Sequence, residues 1–402
     1  MKVLQINAVY HEGSTGAIVE DLHNIAISND IESYVAYSTS SIPHGEIPNG
    51  YQIGNLFGKK LHAFLCRISG KQAYFSRFAT FGLLKYIKKI NPDVVHLHNL
   101  HSNFIHLNML LKYLAKNRIK TVVTLHDCWF YTGGCFHYTA AGCDKWQKEC
   151  GNCPKKLQDT PAYLCDCSAK ILKDRKKYFS AISDLTVVGV SNWITEEATK
   201  TVFKNSKALT IYNGVDTEIF KSTVSDFREK HSLDNKFLIL GPASKWLSQV
   251  NKETYTSVVA SLKEDEILVL LGCTQNQIDK LPKNVIGLPF VKNKNELSEI
   301  YSAADVFVNP TREESLSLIN IEAQACGTPV ITYSNTGVKE TVDNICGFSV
   351  KIGNSAELID KMQYVKTFGK QAFTLGVQKR IAQKFDKNEN YLKYIQLYNL
   401  EQ

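Results

Sequence analysis

Apolar residues fall into short runs bounded by turn formers: KVLQIN, SYVAYS, DVVHLH, TVVTLH, LTVVGVS and ALTIYN, then, after a break, FLILGPAS, EILVLLG, VIGLPFV, ADVFVNP and PVITYS. Runs of this kind predict buried strands. Between them, apolar positions return with helical spacing at 103–117, 191–203, 252–263 and 294–303. Strand alternating with helix predicts an α/β protein in which a parallel sheet flanked by helices is used twice. The turn-rich stretch YNGVDTEIFKSTVSDF, from Tyr212 to Phe227, reads as the linker. The expected domains are therefore 1–210 and 211–385. A terminal helix over 386–402, apolar at Tyr391, Leu392, Tyr394, Ile395 and Leu397, is expected to pack back toward the N-terminal domain.

Two such doubly wound domains facing each other make a cleft, and ligands collect at the carboxyl ends of their strands. The strand-end residues there include His98 (DVVHLH) and His126 (TVVTLH), together with the early loop HEGSTG, whose Gly13 and Gly16 suit a close ligand approach. A satisfied structural histidine is the alternative at each of these strand ends.

One position breaks the apolar pattern. In NPTREESLSLINIEAQACGTPVITYS, Glu322 shares a helix face with Leu318, Ile319, Ala325 and Cys326. A carboxylate on that inward face needs a hydrogen-bonding partner from the protein or from a ligand. Glu314 stands eight residues earlier, in the turn after a strand. Between them Ser315, Leu316, Ser317 and Leu318 lie at a helix start, where backbone N–H groups can seat a phosphate. A helix glutamate paired with a lysine or a backbone amide is the bland alternative.

The stretch resembles the signature of the family-4 retaining glycosyltransferases of the GT-B fold: a glutamate, seven residues, and a second glutamate followed by Ala-x-Ala-x-Gly-x-Pro-Val. Here it reads E-SLSLINI-E-AQACGTPV. The resemblance implies two Rossmann-like domains, the first binding an acceptor and the second a nucleotide-diphosphate sugar. It implies a donor-sugar contact for Glu314, ribose hydroxyls for Glu322, a donor-sugar contact for His126, and a basic pair on the diphosphate, for which GPASKWLSQVNKETY offers Lys245 and Lys252. Two departures stand out. Ser315, Leu316 and Ser317 replace the frequent Gly-Phe-Gly, and lysine followed by Lys252-Glu253 replaces arginine followed by Lys-Gly. Exposed surface lysines are the alternative reading of the basic pair. The segment DCWFYTGGCFHYTAAGCDKWQKECGNCPKK, with SNWI and IYNGVD, is similar to a bacterial subgroup acting in surface-polysaccharide assembly, exopolysaccharide or lipopolysaccharide, such as colanic-acid-type enzymes. The implied activity is retaining transfer of a sugar to a saccharide or lipid-linked saccharide acceptor, with no obligatory catalytic metal. A sugar-nucleotide epimerase and a non-catalytic sugar-nucleotide-binding scaffold are the alternatives.

Composition changes this picture in two places. The net charge of +8 sits mainly in residues 1–200, with 23 Lys/Arg against 16 Asp/Glu, compared with 24 against 23 in the remainder. Between Glu46 and Asp93 there is no acid, while Lys59, Lys60, Arg67, Lys71, Arg77, Lys85, Lys88 and Lys89 alternate with aromatic residues. That pattern fits a peripheral contact with an anionic membrane surface, or a solvated face with its aromatics turned inward. No recognition motif for nucleic acid accompanies the charge. The start reads as a strand rather than a signal peptide, so the eleven cysteines are expected in a reducing cytoplasm. Cys135, Cys143, Cys150 and Cys153, in a Cys-rich insertion over 127–168 with Cys128, His137, Cys165 and Cys167 nearby, could close a structural zinc site or be simply reduced thiols.

Overall fold

In β1 (Lys2–Tyr10) six consecutive residues from Val3 to Ala8 are buried, including Gln5 and Asn7, as expected of a strand covered on both faces. This computed structural model describes residues 1–399 apart from 44 and 160. The side chains of 378, 379 and 382 and all of 400–402 lie outside the described set, so the terminal helix is followed only to Asn399.

The chain forms two units, Met1–Ile211 together with the chain from Tyr391, and Tyr212–Asn390. The first holds β1, β2 (Glu32–Ser40), β3 (Gly50–Gln52), β4 (Val94–Leu97), β5 (Lys120–Leu125), β6 (Leu185–Gly189) and β7 (Lys207–Thr210). They form one parallel sheet in the order β3-β2-β1-β4-β5-β6-β7. The order reverses between β1 and β4, the switch point of a doubly wound sheet. The connecting helices are α1 (Gly13–Ser28), α2 (Leu56–Ser69), α3 (Arg77–Ile90), α4 (Leu107–Lys116), α5 (Ser168–Phe179) and α6 (Asn192–Thr199).

The helix Lys387–Asn399 ends in this unit. Tyr398 bonds His96 Nδ1 through its hydroxyl at 2.7 Å, and the hydroxyls of Tyr394 and Thr124 meet at 3.2 Å. Lys120 Nζ donates to the carbonyls of Leu397 and Tyr398 at 3.0 and 3.1 Å, satisfying acceptors that a helix end leaves open.

The second unit holds β8 (Phe237–Pro242), β9 (Glu266–Leu271), β10 (Val285–Leu288), β11 (Val306–Asn309), β12 (Val330–Tyr333) and β13 (Gly347–Val350). They pair in parallel in the order β10-β9-β8-β11-β12-β13, with the reversal between β8 and β11. The fold is thus two Rossmann-like parallel-sheet units. Two of the strands, β3 and β13, are not announced by apolar runs. Gly50–Gln52 and Gly347–Val350 are short edge strands whose positions are set by their neighbours.

The cysteine-rich segment is packed rather than loose. Trp129, Phe130, Tyr131, Tyr138 and Trp146 are buried there. The buried Arg175 stacks its guanidinium over Trp129 at 4.0 Å and donates from Nη1 to the carbonyls of Trp129 and, at 2.6 Å, Thr132. Among the described residues no helix is long and apolar enough to cross a membrane.

Candidate functional site

The loops leaving β8 and β11 meet at the switch point of the second sheet, and both carry expected site residues. After β8 the chain turns into a short helix, Ala243–Trp246. Trp246 Nε1 donates to the Val308 carbonyl in β11 at 2.9 Å. A side chain at Gly241 would come within 2.2 Å of that ring nitrogen, so only glycine lets Trp246 fold back here. Lys245 is fixed as a result. Asn251, almost fully buried, donates from its amide to the carbonyls of Lys245 (3.0 Å) and Pro310 (2.7 Å), and accepts from Arg312 Nε at 2.9 Å. The β8 loop is thereby tied to the β11 loop that carries Glu314. Lys252 opens the helix Lys252–Ser261 and is exposed.

Glu314 is held by its backbone. Thr336 Oγ1 accepts from its N–H at 3.2 Å and donates to its carbonyl at 2.7 Å. Thr336 sits at φ +42°, a costly conformation for a β-branched residue. Burial raises the Glu314 carboxyl above its ordinary pKa, opposed by the Lys245 charge and the Ser317 hydroxyl. Among the described residues Glu314 Oε2, Ser315 Oγ and Asn335 Oδ1 are buried without a hydrogen-bond partner. All three come from the loops that follow β11 and β12. Buried polar atoms are nearly always paired, so a group of unpaired ones is a candidate place for a ligand to complete the bonding.

The helix Leu318–Ala325 begins just beyond, one residue later than the N–H seat expected over Ser315–Ser317. Ser317 stands at its cap position without capping it. Its hydroxyl instead accepts from Asn309 Nδ2 at 3.0 Å, and Asn309 also donates to Asn320 at 2.9 Å. Ser315, Leu316 and Ser317 are buried, and Leu318 is partly exposed. Glu322 lies one turn into the helix. One of its oxygens, Oε2, accepts from the Tyr301 hydroxyl at 3.2 Å. Burial pushes its carboxyl up to about 7, against the pull of the Tyr301 hydroxyl and the Lys294 charge. The inward glutamate therefore has a protein partner that occupies one of its two oxygens.

In the first unit His126 follows β5 and His98 follows β4. His98 is fully buried, with its Nδ1 3.1 Å from His126 Nε2 and its Nε2 3.2 Å from Gln5 Oε1. With Gln5 Oε1 as acceptor, His98 Nε2 donates to it and His126 Nε2 donates to His98, which leaves His126 Nδ1 as an acceptor. His98 thus orients His126 from behind. Burial lowers the His126 pKa to about 4, so the ring is neutral near pH 7. Beside it, Asp127 accepts from the Trp129 N–H at 2.8 Å and pairs with His101 at 3.1 Å. Gly13 begins α1 at φ +61°, and Gly16 is buried where a side chain would crowd Val9 and the backbone at Tyr10 and His11.

The four thiols of Cys135, Cys143, Cys150 and Cys153 line one small cavity of about 20 Å³. Burial raises Cys135 to about 12 and Cys150 to about 11, which keeps both protonated at neutral pH. Among the described residues no three His, Cys, Asp or Glu side chains are already assembled around a metal position.

Sequence reasoning did not single out Arg312, Asn251, Thr336 or Tyr301. Arg312 carried a readable signal, a basic residue two positions before Glu314. The other three enter from separate elements by tertiary packing.

Residues 218–366 match the family model described as Glycosyl transferases group 1, and residues 54–219 the one described as Glycosyltransferase Family 4. WcaC of Escherichia coli strain K12, whose name assigns it to colanic acid biosynthesis as a glycosyl transferase, is 22% identical over 374 residues, 89% of each chain. Among solved structures, sucrose-phosphate synthase from Thermosynechococcus elongatus aligns with a TM-score of 0.69 at 18% identity, over 99% of this chain and 98% of that one. Anabaena HepE in complex with UDP-glucose aligns with 0.64 at 16% identity, over 99% and 100%.

Proposed function

Because the chain belongs to the group 1 and family 4 glycosyltransferases of the GT-B fold, we propose that it moves a hexosyl unit from a nucleoside-diphosphate sugar to a saccharide or lipid-linked saccharide acceptor in surface-polysaccharide synthesis. The observation that carries the donor assignment is the group of unpaired buried polar atoms around Glu314, beside Lys245 and Arg312 and ahead of the helix that bears Glu322. The UDP-glucose bound by HepE makes a uridine diphosphate sugar the first donor to test.

In this reading the bond between the anomeric carbon and the diphosphate oxygen breaks, and the acceptor oxygen bonds the same carbon on the same face. The acceptor proton passes to the departing phosphate. Charge grows on that diphosphate as the bond breaks, so fixed cations at Lys245 and Arg312 stabilise the transition state more than the ground state. Lys245 supplies charge without the planar fork of a guanidinium, which Arg312 provides. Glu314 bonds the sugar and the second oxygen of Glu322 accepts from the ribose, while in the first unit the neutral His126 offers Nδ1 as an acceptor. No metal is assigned a step.

Donor turnover measured with and without acceptors tests the proposal. Release of nucleoside diphosphate that depends on an acceptor supports transfer. Conversion of the sugar nucleotide alone would make the protein an epimerase, and binding without turnover would make it a scaffold. Either result overturns the proposal.

A further inference from the structure

The helix α2 carries an apolar stripe on the side where a surface helix is usually polar. Of its fourteen residues only His62 and Cys66 are buried. Phe57, Leu61, Phe64 and Ile68, spaced four, three and four apart, form one helical face, and all are exposed, Phe57 at 76% and Phe64 at 57%. At the start of α3, Phe78 is 94% exposed. Large apolar side chains exposed together in this way mark an interaction surface.

Between α2 and α3 lies a cavity of about 460 Å³ whose walls include Phe57, Leu61, Leu65, Phe75, Phe78 and Phe104. His62 faces it as well. This ring is 1% exposed, its Nδ1 meets Ser76 Oγ at 2.8 Å, and its Nε2 is buried without a partner among the described residues. An apolar cavity with one waiting polar atom fits a ligand that is mostly hydrocarbon and carries a polar group near one end. Lys59 and Arg77 stand on the same walls. The surrounding stretch holds eight Lys and Arg and no acid between Glu46 and Asp93. Glu12 is the acid whose charge reaches Lys59.

We propose that the α2–α3 face docks on an anionic phospholipid bilayer and that the cavity takes an acyl chain of one such lipid. The exposed phenylalanines enter the interface, Lys59 and Arg77 meet the lipid phosphate, and His62 Nε2 bonds a polar oxygen of the same headgroup or its ester. The mixture of basic and aromatic residues is what separates this occupant from a soluble apolar ligand, which would not call for the charge. The proposal stands on this face alone and not on the donor site.

The experiment is flotation of the full-length protein with phosphatidylcholine vesicles, with and without phosphatidylglycerol, at low and high salt. Binding should require phosphatidylglycerol and weaken as salt rises. Phe57→Ser with Phe78→Ser should lower vesicle affinity about tenfold or more, since both side chains are exposed in the free protein and leave water only on docking. Lys59→Glu with Arg77→Glu should lower it by roughly fivefold or more for each charge removed. Circular dichroism and nucleotide binding, both expected unchanged, show that the variants fold. Occupancy of the cavity is read with Phe57→Trp, whose emission should shift to the blue and be quenched by brominated acyl chains. Equal binding to neutral vesicles, no binding by folded wild-type protein, or serine variants that bind like wild type would each overturn the docking. Binding without quenching by the brominated chains would overturn the occupancy of the cavity.

Discussion

Replacing Glu322 with glutamine separates what this side chain does for the fold from what it does for a ligand. Its carboxyl is raised from the usual 4.5 to about 7, so the folded protein binds a proton there that the unfolded chain has already released. Between these two pH values stability falls as pH rises, because the unfolded state holds fewer protons at this group. The contribution is fully present below pH 4.5 and lost as pH climbs through 7. The difference of about 2.5 between the two values corresponds to at most about 3.5 kcal/mol at about 1.4 kcal/mol per pH unit. Glutamine is neutral at every pH and its amide oxygen still accepts from Tyr301. The variant should therefore be more stable than wild type by about 2–3 kcal/mol at pH 8.5 and nearly equal to it near pH 4.5. Urea unfolding of both proteins across this range measures the difference, and subtraction cancels groups they share, including His126 with its opposite slope. The same change should weaken nucleoside diphosphate binding roughly tenfold at pH 8.5, because a hydrogen bond to a charged acceptor contributes more than one to a neutral amide. Wild-type affinity should fall below pH 7 as the carboxyl takes up its proton, while the variant's stays flat. A stability difference that does not change with pH would refute the burial argument, and unchanged affinity would remove Glu322 from the ribose.

Three other outcomes follow from the same geometry. Glu314→Gln should lower turnover by about a hundredfold or more while nucleoside diphosphate affinity stays near wild type, because its assigned contact is with the sugar; calorimetry beside a turnover assay separates the two. Arg312→Ala and Lys245→Ala should each lower kcat more than they raise KM, by about tenfold or more, whereas exposed Lys252→Ala should cost less than either; steady-state kinetics of the three decide whether Lys252 belongs to the diphosphate site. The four thiols around the small cavity are expected to lose their protons and close on about one zinc ion per chain in protein purified without chelator. Cys153→Ser should then lower thermal stability more than Cys273→Ser, and freshly reduced protein with far less zinc than this would refute the site.

The strands of both sheets were legible where they run through the interior, because burial on two faces leaves a mostly apolar run such as VVHL or EILVLL. Two of the four edge strands, β3 and β13, were not. Gly50–Gln52 has no fully buried residue, and only Gly347 and Val350 are buried in the last strand, so neither shows an apolar run. Glu314 and Glu322 were legible for the opposite reason, as charges standing among apolar neighbours at a strand end and on a helix face. Their partners were not, because Tyr301 and Thr336 come from elements whose own sequences give no reason to look there. His98 shows the limit of reading strand ends: two histidines at the ends of neighbouring strands look alike in sequence, yet one is fully buried and holds the other. The outward apolar stripe of α2 has helical spacing, but spacing does not tell which side of a helix faces the sheet. Only the packing of His62 and Cys66 inward settles that.

The donor-side loops of the second unit collect several local costs in one place. Thr336 takes a positive φ that a β-branched residue adopts at about 1–3 kcal/mol, and its hydroxyl bonds both backbone groups of Glu314. Ser317 stands at a helix cap without capping it, and its hydroxyl accepts from Asn309 Nδ2. Among the described residues Glu314 Oε2 and Ser315 Oγ are buried without partners, and burial pushes the Glu322 carboxyl up to about 7. Beside them Thr332 donates to the Asn309 carbonyl at 2.8 Å and Gln324 Nε2 to that of Thr341 at 2.8 Å, while among the described residues Asn309 Oδ1 and Gln324 Oε1 are also buried without partners. Glycine at 336 would relieve the backbone strain and alanine at 315 would remove one of the two unpaired atoms, so neither feature is needed for stability. Their occurrence together, at the carboxyl ends of strands of the second sheet, fits the donor site proposed above. On that proposal the strained Thr336 fixes the Glu314 backbone before a donor arrives, and the unpaired atoms are bonds that a donor would complete.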